Sequence, residues 1–387
     1  MFPAQFIKIL TESIGDRRTE SLLSALSGEP AVSVRVNPAK YSVERLRMHF
    51  GPLAGDPVPW AEGEAFYLNE RPAFTFDPLF HTGAYYVQEA SSMYVGYLFD
   101  RAVAGIPDPA VLDLCAAPGG KTTQIISHLG NGTLISNEVI SSRVPILAEN
   151  VSRWGRDDVL VSNSDAAAFG RQKDTFDVVV CDVPCSGEGM FRKDEKAVDN
   201  WSLDNVRLCA ARQRRIVADV WPALREGGSM IYSTCTFNHF EDEDNVEWIC
   251  NELGGQCLEM RHFYPGEIMG EGFFAAMIRK SGDACRHAKL DTKRIRIYQS
   301  SFPEADMALS LRLDKSKYTV RDLTRQDALR FLAKEPLSFE DAPLGLILLT
   351  YEDLPLGFVK NLGRRSNNLI PMPRRIKNIS TTTIKNI

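Results

Sequence analysis

Four acidic residues fall where the strands of a parallel sheet would end: Asp113, Glu138, Asp165 and Asp182. In an open α/β sheet such ends share one rim, where ligands bind. The first acid opens the stretch Asp113-Leu114-Cys115-Ala116-Ala117-Pro118-Gly119-Gly120-Lys121-Thr122. Ala110-Val111-Leu112 leads into it as a short buried strand, Pro118-Gly119-Gly120 turn sharply, and Thr122 to Ile126 begin a helix. This pattern predicts a cradle of backbone N–H groups, made more positive by the helix dipole, for a nucleotide-like cofactor. Glu138 falls 18 residues beyond Gly120, where a ribose-binding carboxylate belongs, and Asp165 could accept from an adenine amine. Singly, each acid could cap a turn. As a row they suit a guest with hydroxyls, an amine and a sulfonium cation, and they repel a bare triphosphate. The expected cofactor is S-adenosyl-L-methionine. The competing reading is a P-loop NTPase: Gly120, Lys121 and Thr122 fit the end of G-x-x-x-x-G-K-[ST], and residues 176–182 could pass for the magnesium-binding strand. Cys115 stands in place of the first glycine of that motif.

Two cysteines face the same rim. Cys185 lies in Asp182-Val183-Pro184-Cys185-Ser186-Gly187, and Cys235 in Ser233-Thr234-Cys235-Thr236. A methyltransferase needs a thiolate when its acceptor is carbon 5 of cytosine, a poor nucleophile. Addition of the thiolate at carbon 6 turns the ring into an enamine whose carbon 5 can attack a methyl sulfonium. Negative charge builds near nitrogen 3 during addition, and Asp182 sits at the strand end suited to meet it. One cysteine makes the adduct and the other assists its breakdown. The residues alone do not say which does which. Cys181 and Cys185 have the spacing of a first zinc pair, but no second pair or histidine couple follows, so no metal is expected.

Residues 113–122, the run Asp-Val-Pro-Cys-Ser-Gly-Glu-Gly-Met-Phe-Arg-Lys-Asp at 182–194, and Ser-Thr-Cys-Thr-Phe at 233–237 resemble the RNA cytosine-5 methyltransferases. That group includes the RsmB and RsmF ribosomal enzymes and the eukaryotic Nop and Sun proteins. Residues 189–194 are similar to the RsmF branch, and Arg35-Val36-Asn37-Pro38 and residues 83–92 also match. The resemblance covers most of 30–280. It implies a cofactor loop at Cys115, Ala116, Ala117, Pro118, Gly119, Gly120 and Lys121, with Glu138, Asp165 and Asp182 as further contacts. It implies Cys235 as the nucleophile and Cys185 as the residue that aids product release. It implies RNA as the partner, 16S ribosomal RNA or the small ribosomal subunit first and transfer RNA as the alternative, with no DNA and no membrane. Residues 356–361 and 367–371 resemble the PUA-like RNA-binding end of RsmF-type proteins.

Strands and helices that could hold these residues alternate from 110 to 235. Strands are expected at 110–113, 132–138, 159–165, 176–182 and 228–233, helices at 142–154 and 205–224, and a late edge strand at 273–279. That rhythm predicts a Rossmann-like doubly wound α/β sheet with right-handed crossovers. Before it, helices over 3–29, a strand at 32–36, a helix starting after Ser42 and a loop from 52 to 59 make a small α+β module. Residues 80–92 are expected to lead into a helix. The expected division is an N-terminal RNA-binding module at 1–75, a methyltransferase domain at 76–280, a polar linker at 281–300, and a C-terminal PUA-like α+β module at 301–387.

The bulk numbers agree with a globular enzyme. Of 387 residues, 44% are apolar and 25% charged, and no apolar run approaches the roughly 18 residues of a membrane span. The first residues lack a basic stretch followed by an apolar core, and the 8 cysteines lack paired spacing, so a cytoplasmic, reduced protein is expected. Net charge is −5, yet the chain from 354 onward has no acid against Lys360, Arg364, Arg365, Arg374, Arg375, Lys377 and Lys385, a basic surface fit for phosphates. A non-catalytic RNA-binding protein with a decayed core is the third reading; the presence of both cysteines and all four acids opposes it.

Overall fold

The computed structural model describes residues 2–283 and 287–377. Lys385, counted above in the basic end, lies outside the described residues.

The N-terminal sheet is built from β1 (Val32–Val36), β2 (Ala54–Pro57), β3 (Ala65–Leu68) and β4 (Tyr85–Val87), in the order β2-β3-β1-β4. One expectation is corrected here: residues 52–59 contain a short strand rather than only a loop. Residues 80–92 do lead into a helix, Tyr94–Val103, but on the way Tyr85–Val87 forms a strand that pairs antiparallel with Val34–Val36. β1 is buried along its whole length because both of its faces are covered: Val32, Val34 and Val36 face the module's own core, and Arg35 on the other face packs against Thr123 and Trp154. Ser42 caps the Val43–Phe50 helix as expected, accepting from the Arg45 amide at 3.2 Å. The helices Ala4–Ile14 and Asp16–Leu26 do not join this sheet's core. Their buried Phe6, Leu10, Leu22 and Leu26 pack with Phe191, Trp201 and Phe237, near the two cysteine loops.

The central sheet comprises β5 (Ala110–Asp113), β6 (Thr133–Asn137), β7 (Leu160–Ser162), β8 (Phe176–Asp182), β9 (Leu224–Thr234), β10 (Gly255–Phe263) and β11 (Phe273–Lys280), in the order β10-β11-β9-β8-β5-β6-β7. β5 to β9 are parallel, and β11 runs antiparallel between β9 and β10. Apolar clusters cover both faces, one built on Val95, Phe99, Ile125 and Leu147, the other on Phe169, Val217, Val220 and Ile249. This is the expected doubly wound architecture. Residues 273–279 do not form its edge, however. β10, which the sequence pattern did not reveal, lies outside them. Its run Gly255-Gln256-Cys257-Leu258-Glu259-Met260-Arg261-His262-Phe263 is largely exposed, so it lacks the apolar signature of the buried strands. Residues 287–300 are not a free linker either: Ile297 bridges Ser162 at the other edge, and Ile295 is buried in the core.

The C-terminal sheet is β12 (Thr319–Asp322), β13 (Gly345–Tyr351), β14 (Leu354–Asn361) and β15 (Ser366–Asn368), in chain order, packed on the Arg325–Leu332 helix. The run Arg35-Val36-Asn37-Pro38-Ala39-Lys40 ties the three parts together. Asn37 Nδ2 donates to the carbonyls of Gly83 and Trp154, and Lys40 Nζ to those of Thr82, Arg153 and Leu309. No helix among the described residues is long and apolar enough to cross a membrane.

Candidate active site

Chain order crosses over between β5 and β8, and the site lies at the carboxyl ends of these two neighbours. The loop after β5 is fixed from several directions. The Ala116 amide donates to the Asn137 carbonyl, Arg143 donates to the Ala117 carbonyl at 2.6 Å, and Asn150 to the Pro118 carbonyl at 2.8 Å. Gly119 has φ 111°, a conformation that favours glycine, and a Cβ there would meet Leu147 Cδ1 at 3.2 Å. The helix begins at Gly120, two residues earlier than expected. Fully buried Arg35 reaches across from β1 and donates to Gln88, to Thr123 Oγ1 at 2.7 Å and to the Gly120 carbonyl, so the N-terminal sheet braces the first turn of this helix.

A cavity of about 500 Å³ opens over the loop. Of the expected site residues, Cys115, Ala116, Ala117, Pro118, Gly120, Lys121, Asp182 and Cys235 line it. Asp113 lines it as well. Its Oδ2 accepts from Thr122 Oγ1 at 2.6 Å, while its buried Oδ1 has no hydrogen-bond partner. Burial lifts this carboxyl to about 7. An orphaned acceptor beside a glycine cradle fits a cofactor that carries an amine and approaches the backbone closely.

Gly119, Glu138, Asp165 and Cys185 are not among the lining residues. Gly119 stands within the loop itself. Glu138 is buried, accepts from the Ile140 amide at 2.8 Å and pairs with Arg143 at 3.2 Å. Asp165 is exposed and caps the Ala166–Gly170 helix, accepting from the Ala167 amide at 3.0 Å.

Asp182 ends β8 opposite Ser233 of β9, whose hydroxyl donates to Oδ1 at 2.8 Å. Lys121 Nζ donates to Oδ2 at 2.7 Å. Burial lowers the lysine's proton affinity, but Asp182 more than offsets this and holds it above the ordinary value. A lysine committed to a carboxylate serves a triphosphate poorly, which removes much of the appeal of the NTPase reading. Beyond the two strand ends, Cys185 Sγ and Cys235 Sγ lie 3.2 Å apart. The hydrogen bond with Cys235, together with burial, pushes the Cys185 thiol well up. The Cys235 carbonyl accepts from the Gly189 amide at 2.8 Å, an approach that a side chain at 189 would crowd. Some lining residues carried no chemical signal of their own in the sequence. Tyr86, Gln88, Met190 and Lys193 fall inside stretches that carry the resemblance, whereas Arg143 and residues 271–273 arrive from segments with no motif.

Comparison with known proteins agrees with this picture. A family model described as 16S rRNA methyltransferase RsmB/F matches residues 102–279. The N-terminal domain of 16S rRNA methyltransferase RsmF matches 2–90, and the methyltransferase RsmF PUA domain matches 318–376. Among curated relatives, ribosomal RNA small subunit methyltransferase F of Pectobacterium atrosepticum is 34% identical over 310 residues, covering 72% of this chain and 63% of the relative. The protein of the same name from Klebsiella pneumoniae is 38% identical over 279 residues, covering 64% and 57%. The chain thus spans less than two-thirds of the length of these relatives. Among solved structures, a methyltransferase homolog protein from Pyrococcus horikoshii superposes with a TM-score of 0.63 at 28% identity, covering 72% of this chain and 95% of that one. NSun6 from the same organism, solved with SFG, superposes with a TM-score of 0.62 at 21% identity, covering 73% and 99%, and shares the fold.

Proposed function

The chain belongs to the RsmB/F methyltransferase family, whose cofactor is S-adenosyl-L-methionine, and we propose that it methylates carbon 5 of cytosine in RNA, with 16S ribosomal RNA as the substrate, through a covalent adduct at carbon 6. The observation that carries this reading is that the Cys235 side and the 115–121 loop line one cavity. The cofactor, when bound, supplies the methyl group as a sulfonium. Residues 115–121, Asp113 and Asp182 would hold it, with Glu138 and Asp165 on the same rim.

The target base leaves its stack to reach the cavity. The Cys235 thiolate adds to carbon 6. The Lys121–Asp182 pair supplies the hydrogen bond that charge building on nitrogen 3 requires. After transfer, carbon 5 gives its proton to water, the double bond between carbons 5 and 6 re-forms, and the bond from carbon 6 to sulfur breaks to release the Cys235 thiolate. Cys185, with its sulfur 3.2 Å away, assists that breakdown. The N-terminal module (1–75) and the C-terminal module (301–387) hold the surrounding RNA, largely through phosphates. In the C-terminal module Arg364 and Arg365 are exposed and line a surface groove, in which Arg330 is already paired with Asp327 and Glu335. Arg374 is not free for this role, since it pairs with Asp306.

The test is to supply the purified chain with S-adenosyl-L-methionine and, in parallel, naked 16S rRNA, small-subunit particles and transfer RNA, and to map products by bisulfite sequencing. A protected cytosine in ribosomal RNA supports the reading. Protection only in transfer RNA moves the assignment to that substrate. No protected cytosine in any of them overturns it.

A further inference from the structure

Two adjacent acids outside the cavity, Glu241 and Asp242, are each 0% exposed, and each grips a different cysteine loop. Glu241 Oε2 accepts from the Ser186 amide at 3.0 Å, directly after Cys185. It also accepts at 2.7 Å from Gln213 Nε2, which donates to the Pro184 carbonyl directly before Cys185. Asp242 Oδ1 accepts from the hydroxyls of Thr234 and Thr236, the two neighbours of Cys235, the second at 3.0 Å. Thr234 Oγ1 and Thr236 Oγ1 are themselves 2.9 Å apart, so the three side chains close a small ring around the backbone of Cys235.

Such an arrangement is expensive. Burial pushes both carboxyls up, Asp242 well above its ordinary value, and Asp242 Oδ2 has no partner. Well-packed apolar residues would cost less in a core. What two apolar side chains could not supply is directional contact to both loops from a single peptide unit.

We propose that Glu241 and Asp242 are positioning residues that set the Cys185 loop against the Cys235 loop and so hold the two sulfurs at contact distance. The proposal rests on the reading of Cys235 as nucleophile and Cys185 as its helper. It assigns that chemistry's geometry to residues that never touch the base. The acids are joined by one peptide bond, so a shift of one loop is carried to the other. The Cys235 carbonyl, pinned by Gly189, limits rotation of its loop from the cavity side.

The experiment uses the full chain and a diazene oxidant, which takes the hydrogens of both thiols and becomes a hydrazine as the Cys185–Cys235 bond forms. Mass spectrometry of the joined peptides gives the rate. Asp242→Leu is expected to slow this bond about tenfold and to lower kcat about 100-fold, the scale of a 1 Å misplacement, with S-adenosylhomocysteine affinity unchanged by calorimetry. Asp242→Asn keeps the acceptor facing the threonines and is expected to restore both readings close to wild type. Wild-type cross-linking in Asp242→Leu, or an asparagine variant no better than the leucine one, overturns the proposal. If Asp242→Leu fails to bind S-adenosylhomocysteine, Thr236→Val replaces it; a slower cross-link there supports the proposal and an unchanged one overturns it. Cross-linking reads geometry without turnover. Full activity in Cys235→Ala would therefore defeat the nucleophile assignment while leaving the cross-linking result intact.

Discussion

The Sγ atoms of Cys185 and Cys235 are 3.2 Å apart, yet Cys235 lines the cavity over the cofactor loop and Cys185 does not. The two thiols are therefore neighbours with unequal access to a base held in that cavity. This asymmetry bears on a question that residue types leave open, because a cysteine after proline and one after threonine are chemically alike.

Cys235→Ala is expected to abolish methyl transfer, a loss of at least about 1,000-fold, as for other removed nucleophiles, while leaving cofactor binding intact. Methyl incorporation into RNA and calorimetry with S-adenosylhomocysteine check the two halves. Appreciable turnover in the variant would remove Cys235 from the chemistry.

Cys185→Ala is expected to trap the enzyme on its substrate. Breakdown of the adduct slows more than its formation, so a protein–RNA band should persist on a denaturing gel after incubation with S-adenosyl-L-methionine. Absence of that band with an RNA that the wild type methylates counts against the release role.

Gly119→Ala tests the cofactor cradle. At φ 111° an alanine is strained by about 1–3 kcal/mol, and its methyl group meets Leu147. The loop must shift, and S-adenosylhomocysteine affinity is expected to fall about tenfold or more, since each 1.4 kcal/mol is a factor of ten. Unchanged affinity would show that the cofactor does not depend on this turn.

His128 makes stability depend on pH. Burial lowers its proton affinity, but hydrogen bonds with Asp100 and Glu64 overcome this and lift it to about 9. Between pH 6.5 and 9 the folded protein keeps a proton that the unfolded chain has released. The contribution is thus full below the unfolded value and is lost as pH rises through 9. The shift from 6.5 to about 9 caps it at about 3 kcal/mol. In denaturant melts at the two ends of this range, wild type is expected to lose stability relative to His128→Gln on going alkaline. Parallel pH profiles for the two proteins would contradict this. The same pair joins the Ala65–Leu68 side of the N-terminal module to the catalytic domain, because Glu64 directly precedes that strand.

Sequence alone determined the elements whose information is local. The β5 strand, the glycine turn and the helix after it appear where the apolar run, Pro118-Gly119-Gly120 and the following helical pattern put them, with the helix starting at Gly120 rather than Thr122. The parallel strands that carry Asp113 and Asp182 were legible for the same reason, since each is buried on both faces and reads as a continuous apolar run. β10 was not, because it is a largely exposed edge strand in which Gln256, Glu259, Arg261 and His262 interrupt the apolar residues. Only the tertiary structure decided which residues from distant segments share a space. Nothing within a few residues of Arg35 announces Thr123, and nothing near Asp242 announces that its carboxyl closes around Cys235. Those contacts depend on strand order and on which face each side chain takes, and both are fixed when long loops close and the two faces of the sheet are buried together. The residue types thus supplied a menu of chemistry, while packing of the whole chain set which sulfur meets the cavity and which carboxylates are left to hold it there.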